Sequence, residues 1–220
     1  MQRVESFVFN EMKENSFVVW DEAGKSAVLV DPGCASQQEL ETLEAFLDGN
    51  TLRPAAILVT HPHFDHIAGA DRLSRIYGVD YLVCDADRAL LGQRDEWAKL
   101  YQFKLDGPVG TARFFPAEKK TFRFGGIAVQ VLPLGGHTVG SVAYFFPDAE
   151  AVFVGDTIVK GSLGFQETGF QQTLERIRDY LLPLPDSTRI YFGHGADSTI
   201  GEEKRENRFF KRSGALGSAQ

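Results

Sequence analysis

Five histidines and two aspartates carry the chemistry this sequence offers. His61, His63 and His66, with Asp65 among them, fall within six residues, in Thr60-His61-Pro62-His63-Phe64-Asp65-His66. Nitrogen and oxygen donors at that spacing can be folded round an ion by a turn, and no sulfur donor lies among them. The other two histidines, His137 and His194, stand beside glycines, as does Asp156. Each of the seven follows a run of strand-like apolar residues, so strand ends along one edge of a sheet structure can converge on a common point. Seven donors exceed the needs of one ion, whereas two ions about 3.5–4 Å apart would use them all. His61, His63 and His137 then form one set, Asp65, His66 and His194 the other, and Asp156 bridges. Gly135-Gly136, Gly155, Gly193 and Gly195 allow the backbone to turn tightly beside the ions.

The elements that must position these donors are legible in the apolar patterning. Val4 to Asn10, Ser16 to Asp21 and Ser26 to Asp31 alternate as an antiparallel meander, with Lys13-Glu14-Asn15 and Glu22-Ala23-Gly24 as its turns. Ser36 and Glu39 have capping-box spacing, and Leu40, Leu43, Phe46 and Leu47 predict a helix closed by Gly49-Asn50. The strand Ala55 to Thr60 leads into the histidine cluster, and a helix from Ile67 to Tyr77 follows, ended by Gly78. Tyr81 to Cys84 is a strand, Ala86 to Leu105 mixes helical periodicity with many charges, and Asp106 to Pro116 reads as a loop. This long insert beside the donors suits either substrate contact or a solvated connector. Thr121 to Phe124, Ile127 to Leu132, Ser141 to Phe146, Ala151 to Val154 and Arg189 to Phe192 are strands, and Gln171 to Leu182 is a helix stopped by Pro183. Strands and then a helix, twice over, make an α+β chain. Two mixed sheets packed face to face with helices outside would bury its apolar faces.

At 220 residues the chain fits one domain, 1–212, with 213–220 as a frayed tail. A formal charge of −7 disfavours nucleic acid as a partner. The amino terminus lacks a signal-peptide pattern and no apolar run is long enough to span a bilayer, so a cytoplasmic protein with a small-molecule substrate is expected. Cys34 and Cys84, in no CxxC pattern, read as small core residues. Asp31, in Asp31-Pro32-Gly33, reads as structural support.

His61-Pro62-His63-Phe64-Asp65-His66, Gly136-His137-Thr138-Val139-Gly140-Ser141, Gly155-Asp156-Thr157 and Gly193-His194-Gly195 resemble the ordered motifs of the metallo-β-lactamase superfamily. The resemblance spans nearly the whole chain and implies an αββα sandwich with a dinuclear site between the sheets. Within the superfamily the chain is most similar to the short glyoxalase II-like (hydroxyacylglutathione hydrolase-like) branch. Full-length enzymes of that kind carry a helical carboxy-terminal region that binds glutathione, whereas 26 residues follow His194 here. The short branch tends to carry an Arg-Thr-Asp type loop after the bridging aspartate, whereas this chain has Gly164-Phe165-Gln166-Glu167-Thr168-Gly169.

The expected activity is metal-dependent hydrolysis of a thioester, of the hydroxyacylglutathione kind, or of a related small ester. Hydroxide held between two divalent ions attacks the carbonyl, with Asp65 as the catalytic residue that orients it; zinc is the expected metal, and iron and manganese suit the same donors. The alternative is an iron-dependent persulfide dioxygenase, which the same resemblance allows with a single ion on His61, His137 and Asp156. A third class is a metal-binding protein without catalysis. Arg88, Lys104, Arg113, Lys119, Lys120, Lys160 and Lys204 are candidates either to meet an anionic substrate or to form a solvated face.

Overall fold

The apolar alternation ahead of the histidine cluster builds one mixed sheet. The computed structural model of the chain describes residues 1–105 and 112–211. Strands β1 (Gln2–Phe9), β2 (Glu14–Asp21) and β3 (Ser26–Val30) pair antiparallel in sequence order. Helix α1 (Gln37–Gly49), with the Ser36 and Glu39 capping box, then crosses over to β4 (Arg53–Leu58), which runs parallel to β3. Helix α2 (Ala70–Tyr77) precedes β5 (Tyr81–Cys84), and the short helices α3 (Arg88–Gly92) and α4 (Arg94–Leu100) precede β6 (Arg113–Phe115), each strand adding parallel to the last.

The second sheet is ordered β14-β13-β10-β9-β8-β7. It contains β7 (Lys120–Phe124), β8 (Ile127–Pro133), β9 (Val142–Phe146), β10 (Ala151–Phe153), β13 (Arg189–Tyr191) and β14 (Ser198–Thr199). A small hairpin of β11 (Ile158–Val159) and β12 (Ser162–Leu163) stands apart, followed by α5 (Phe170–Arg176), which continues as a π-helical turn over Ile177–Leu181. Helix α6 (Ile200–Glu206) comes last, capped by the Thr199 hydroxyl.

Packing makes four layers. Alternate residues of the two sheets meet in the middle: Phe17, Val19, Val28, Val30 and Leu58 face Val129, Val131, Tyr144, Phe146 and Phe153. The other face of the first sheet, with Val18, Trp20, Leu29 and Ile57, is covered by Leu40, Leu43 and Leu47 of α1 and Leu73 of α2. The outer face of the second, with Val152 and Ile190, is covered by Leu174, Ile177, Leu181 and Ile200. The architecture is the αββα sandwich of two mixed sheets expected from the order of elements. Strands β2 and β3 are buried on both faces for this reason. Both cysteines are free and buried within these clusters.

Several boundaries differ from the sequence reading. The second helix begins at Ala70 instead of Ile67, because the chain remains in turns until the donors have been presented. Within the expected Asp106 to Pro116 loop, Arg113–Phe115 is a strand recruited by pairing with β5, and residues 106–111 lie outside the described residues. The charged stretch after Ile200 is helical, while the expected tail 213–220 also lies outside the described residues. Glu14 and Asn15, read as a turn, open β2 and are buried. Among the described residues, no helix is long and apolar enough to cross a membrane.

Candidate metal centre

All seven sequence-predicted donors meet at one end of the sandwich. The turns after β4 supply His61, His63, Asp65 and His66, and loops after β8, β10 and β13 supply His137, Asp156 and His194. Three groups of donor atoms lie within 4.8 Å of one another: His61, His63 and His137; Asp65, His66 and His194; and His61, His66 and Asp156. The first two are the sets inferred from spacing. In the third, Asp156 faces both sides: its Oδ1 lies 3.6 Å from His66 Nε2, and its Oδ2 lies 3.5 Å from His194 Nε2 and 3.8 Å from His137 Nε2.

Buried polar atoms normally find partners, so orphans point to something they are built to hold. His61 Nε2, His66 Nε2 and Asp156 Oδ1 are buried and have no hydrogen-bond partner. The far nitrogens of the same rings are occupied. Asp31 Oδ1 accepts from the Thr60 amide (2.7 Å), and its Oδ2 accepts from the Thr60 hydroxyl (2.6 Å) and from His66 Nδ1 (3.2 Å). Because the Thr60 hydroxyl gives its proton to Asp31, it accepts from His61 Nδ1 (3.1 Å). One carboxylate therefore sets both rings with Nδ1 protonated and the Nε2 lone pair facing the centre. His137 and His194 are set by backbone: their Nδ1 atoms lie 2.8 Å from the Phe165 carbonyl and 3.1 Å from the Met12 carbonyl.

The residues fit a pair of divalent cations. Burial pushes His61 well below the usual imidazole range and lowers His63 to about 4, so both are neutral donors at pH 7. At Asp156, burial would favour the neutral acid, but His66 and His194 outweigh it and hold the carboxylate ionised. Burial likewise opposes charge on His194, yet its hydrogen bonds to Asp156 and Asp65 raise it to about 10. A cation bound there would displace the His194 proton.

Glycines shape the loops in two ways. Gly136 takes φ 91°, in the left-handed region, in the turn that presents His137. Gly193 instead supplies room: a Cβ there would overlap Asp156 Oδ1 and stand against the His66 ring.

Sequence reasoning missed Glu14. It is fully buried and unpartnered at Oε1, which lies 3.9 Å from His66 Nδ1, while its Oε2 accepts from Ser16. Burial raises its pKa well above the usual carboxylate range. The available signal was a polar triplet, Glu14-Asn15-Ser16, fused directly to an apolar strand. Asp87, before α3, was also missed. It accepts from the Thr138 hydroxyl (2.6 Å) and the Gly140 amide (2.7 Å), locking the loop that carries His137.

A cavity of about 340 Å³ opens over the centre, floored by His63, Asp65, His137, Asp156 and His194. Its rim is Met12, Phe64, Trp97, Tyr101, Phe165 and Glu167. Trp97 and Tyr101 come from the insert between β5 and β6. None of the seven candidate cations lines this cavity. Arg88 pairs with Asp85 and covers the Phe114 ring, Arg113 pairs with Asp80, Lys120 with Glu118, Lys160 with Glu202 and Lys204 with Asp186. Lys119 lies over the Tyr180 ring, and Lys104 lines a separate cavity with Glu11 and Glu39.

The sequence profile described as the metallo-beta-lactamase superfamily matches residues 10–194. Hydroxyacylglutathione hydrolase GloC of Haemophilus influenzae is 30% identical over 210 residues, covering 94% of this chain and 97% of the relative. Among solved structures, the BLEG-1 B3 metallo-beta-lactamase superposes with a TM-score of 0.80 at 27% identity, covering 95% of this chain and 100% of that one. The di-iron-bound form of TTHA1623 superposes with a TM-score of 0.77 at 31% identity, covering 93% and 99%.

Proposed function

The chain belongs to the metallo-β-lactamase superfamily of metal-dependent hydrolases, and from that premise we propose that it cleaves a thioester, of the hydroxyacylglutathione kind, or a related small ester. The observation that carries this reading is the set of buried, unpartnered donor atoms on His61, His66 and Asp156, flanked by the two triads. His61, His63 and His137 would hold one divalent ion and Asp65, His66 and His194 the other, with Asp156 shared; zinc is the metal proposed. When bound, such a pair acidifies a coordinated water and polarises the substrate carbonyl.

The chain's own groups do the rest. The Asp65 carboxylate, 3.3 Å from His194 Nε2 and 3.8 Å from His66 Nε2, lies within the second set and would orient the attacking water from there. Asp31 and Thr60 keep two rings in the donor tautomer, and Phe64, Trp97, Tyr101 and Phe165 line the approach to the carbonyl. A thiolate leaving group, with a pKa of about 8.5, departs without a proton from a dedicated acid, which suits a floor made of donors to metal. The 30% identity to a hydroxyacylglutathione hydrolase supports the same chemistry.

The test is elemental analysis of anaerobically purified protein together with thioester turnover. About two zinc ions per chain with hydrolysis is the expected result. His63→Ala and Asp156→Ala should lose metal and turnover together. One iron per chain with oxygen consumption on a persulfide would overturn the reading in favour of sulfur oxidation.

A further inference from the structure

The cavity above the donors has a chemical character of its own. Of the ten exposed large hydrophobic side chains among the described residues, four stand on its rim: Met12, Trp97, Tyr101 and Phe165. Exposed apolar side chains gathered at one concave site mark a surface meant to be covered. One wall is a continuous aromatic series, with Trp97 6.5 Å from Tyr101, Tyr101 5.5 Å from Phe64 and Phe64 4.9 Å from Phe103, centroid to centroid. Across the mouth stand Phe165 and Met12. Their carbonyls are the acceptors for His137 and His194, so the apolar rim is held in register with the donors beneath it. Among the described residues the one charged rim residue is Glu167, and none of the seven lysines and arginines that sequence suggested for an anionic substrate lines the cavity.

Resting on the hydrolase part of the reading above, and choosing within it the related small thioesters and esters over the glutathione thioester, we infer that the site selects substrates whose groups flanking the scissile bond are uncharged and aromatic or aliphatic, and that it disfavours carriers bearing carboxylates. Charge in the floor draws the reacting carbonyl, whereas the distal parts of the substrate meet rings and a carboxylate. Glutathione carries two carboxylates, and the described residues of this rim include no cation to pair with either. An aromatic group instead gains stacking against Trp97 and Tyr101. Phe165 and Trp97 are the specificity-determining residues.

The experiment compares two thioethers that share a benzyl group and differ in the carrier, N-acetyl-S-benzylcysteamine and S-benzylglutathione, titrated calorimetrically into the metal-loaded protein. The neutral ligand should bind about tenfold more tightly. Trp97→Ala should weaken it several-fold, and Phe165→Lys, at a side chain 75% exposed and therefore safe for folding, should erase or reverse the preference. Equal or tighter binding of S-benzylglutathione overturns the inference, as does failure of both ligands to bind. Turnover of the matching phenylacetyl thioesters is measured in parallel. The predicted binding order without hydrolysis of either would support the selectivity and sink the hydrolase reading instead.

Discussion

Replacing Asp31 with Asn should turn two donor rings the wrong way. Asp31 sits in the left-handed region at φ 46°, which Asn tolerates, so the backbone survives the change. With the side-chain oxygen kept on the Thr60 amide, the new NH₂ faces the Thr60 hydroxyl and His66 Nδ1, two groups that now donate to Oδ2. Both must become acceptors. His66 then carries its proton on Nε2, and the Thr60 hydroxyl turns its hydrogen toward His61 Nδ1, moving that ring's proton to Nε2 as well. Each ring loses the lone pair aimed at the centre. Loss of one ligand-orienting partner costs about 10–100-fold in metal affinity, or about 1.4–2.8 kcal/mol, and here one substitution strikes both triads. Competition against a chromophoric zinc chelator should therefore show weakening at both sites. Wild-type affinity at either one would refute the proton arrangement from which the effect is derived.

Metal uptake at pH 7 should release about one proton per chain, at His194, where burial opposes charge but the hydrogen bonds to Asp156 and Asp65 prevail and raise it to about 10. That proton is lost only as pH climbs through about 10, so affinity must rise with pH across the neutral range. Calorimetry in buffers of different ionisation enthalpy measures the release, and uptake without it would contradict the assignment. Gly193→Ala should lower zinc stoichiometry by elemental analysis, since the added Cβ overlaps Asp156 Oδ1; full stoichiometry would show that the loop can shift. Asp87→Ala strands the Gly140 amide, while the Thr138 hydroxyl keeps the Ser141 hydroxyl as a partner, at a cost of about 1–3 kcal/mol in urea unfolding. An unchanged midpoint would mean that water replaces the carboxylate.

The donors were legible because imidazole and carboxylate are scarce types with local spacing, each placed directly after an apolar run. Strand alternation and the capping box at Ser36 were equally local. What supports the donors was less legible. The Asp31 to Thr60 bridge joins segments far apart in sequence, and Glu14 is buried only because the start of β2 lies beneath His66, which no periodicity records. Arg113–Phe115 and Ser198–Thr199 are strands by virtue of their neighbours, with too few residues to show a period. The rim was legible only as segments: Trp97 and Tyr101 lie in the insert read as substrate contact or connector and Phe165 in the loop after Asp156, but nothing local marks these three side chains as exposed.

The N-terminal hairpin is fastened to the last loop of the second sheet. The Asn15 amide donates to the Gly193 carbonyl at 2.7 Å, and its side chain donates to Phe192 and Gly195 carbonyls. His194, the last donor to leave the ribosome, is thus docked against one of the first strands to be made. The first triad is complete in sequence once His137 has emerged, whereas the second must wait for His194, on the order of several seconds at typical elongation rates. The complete centre is therefore a late product of folding, reached only when the Asn15 staple closes the two ends of the sandwich on each other.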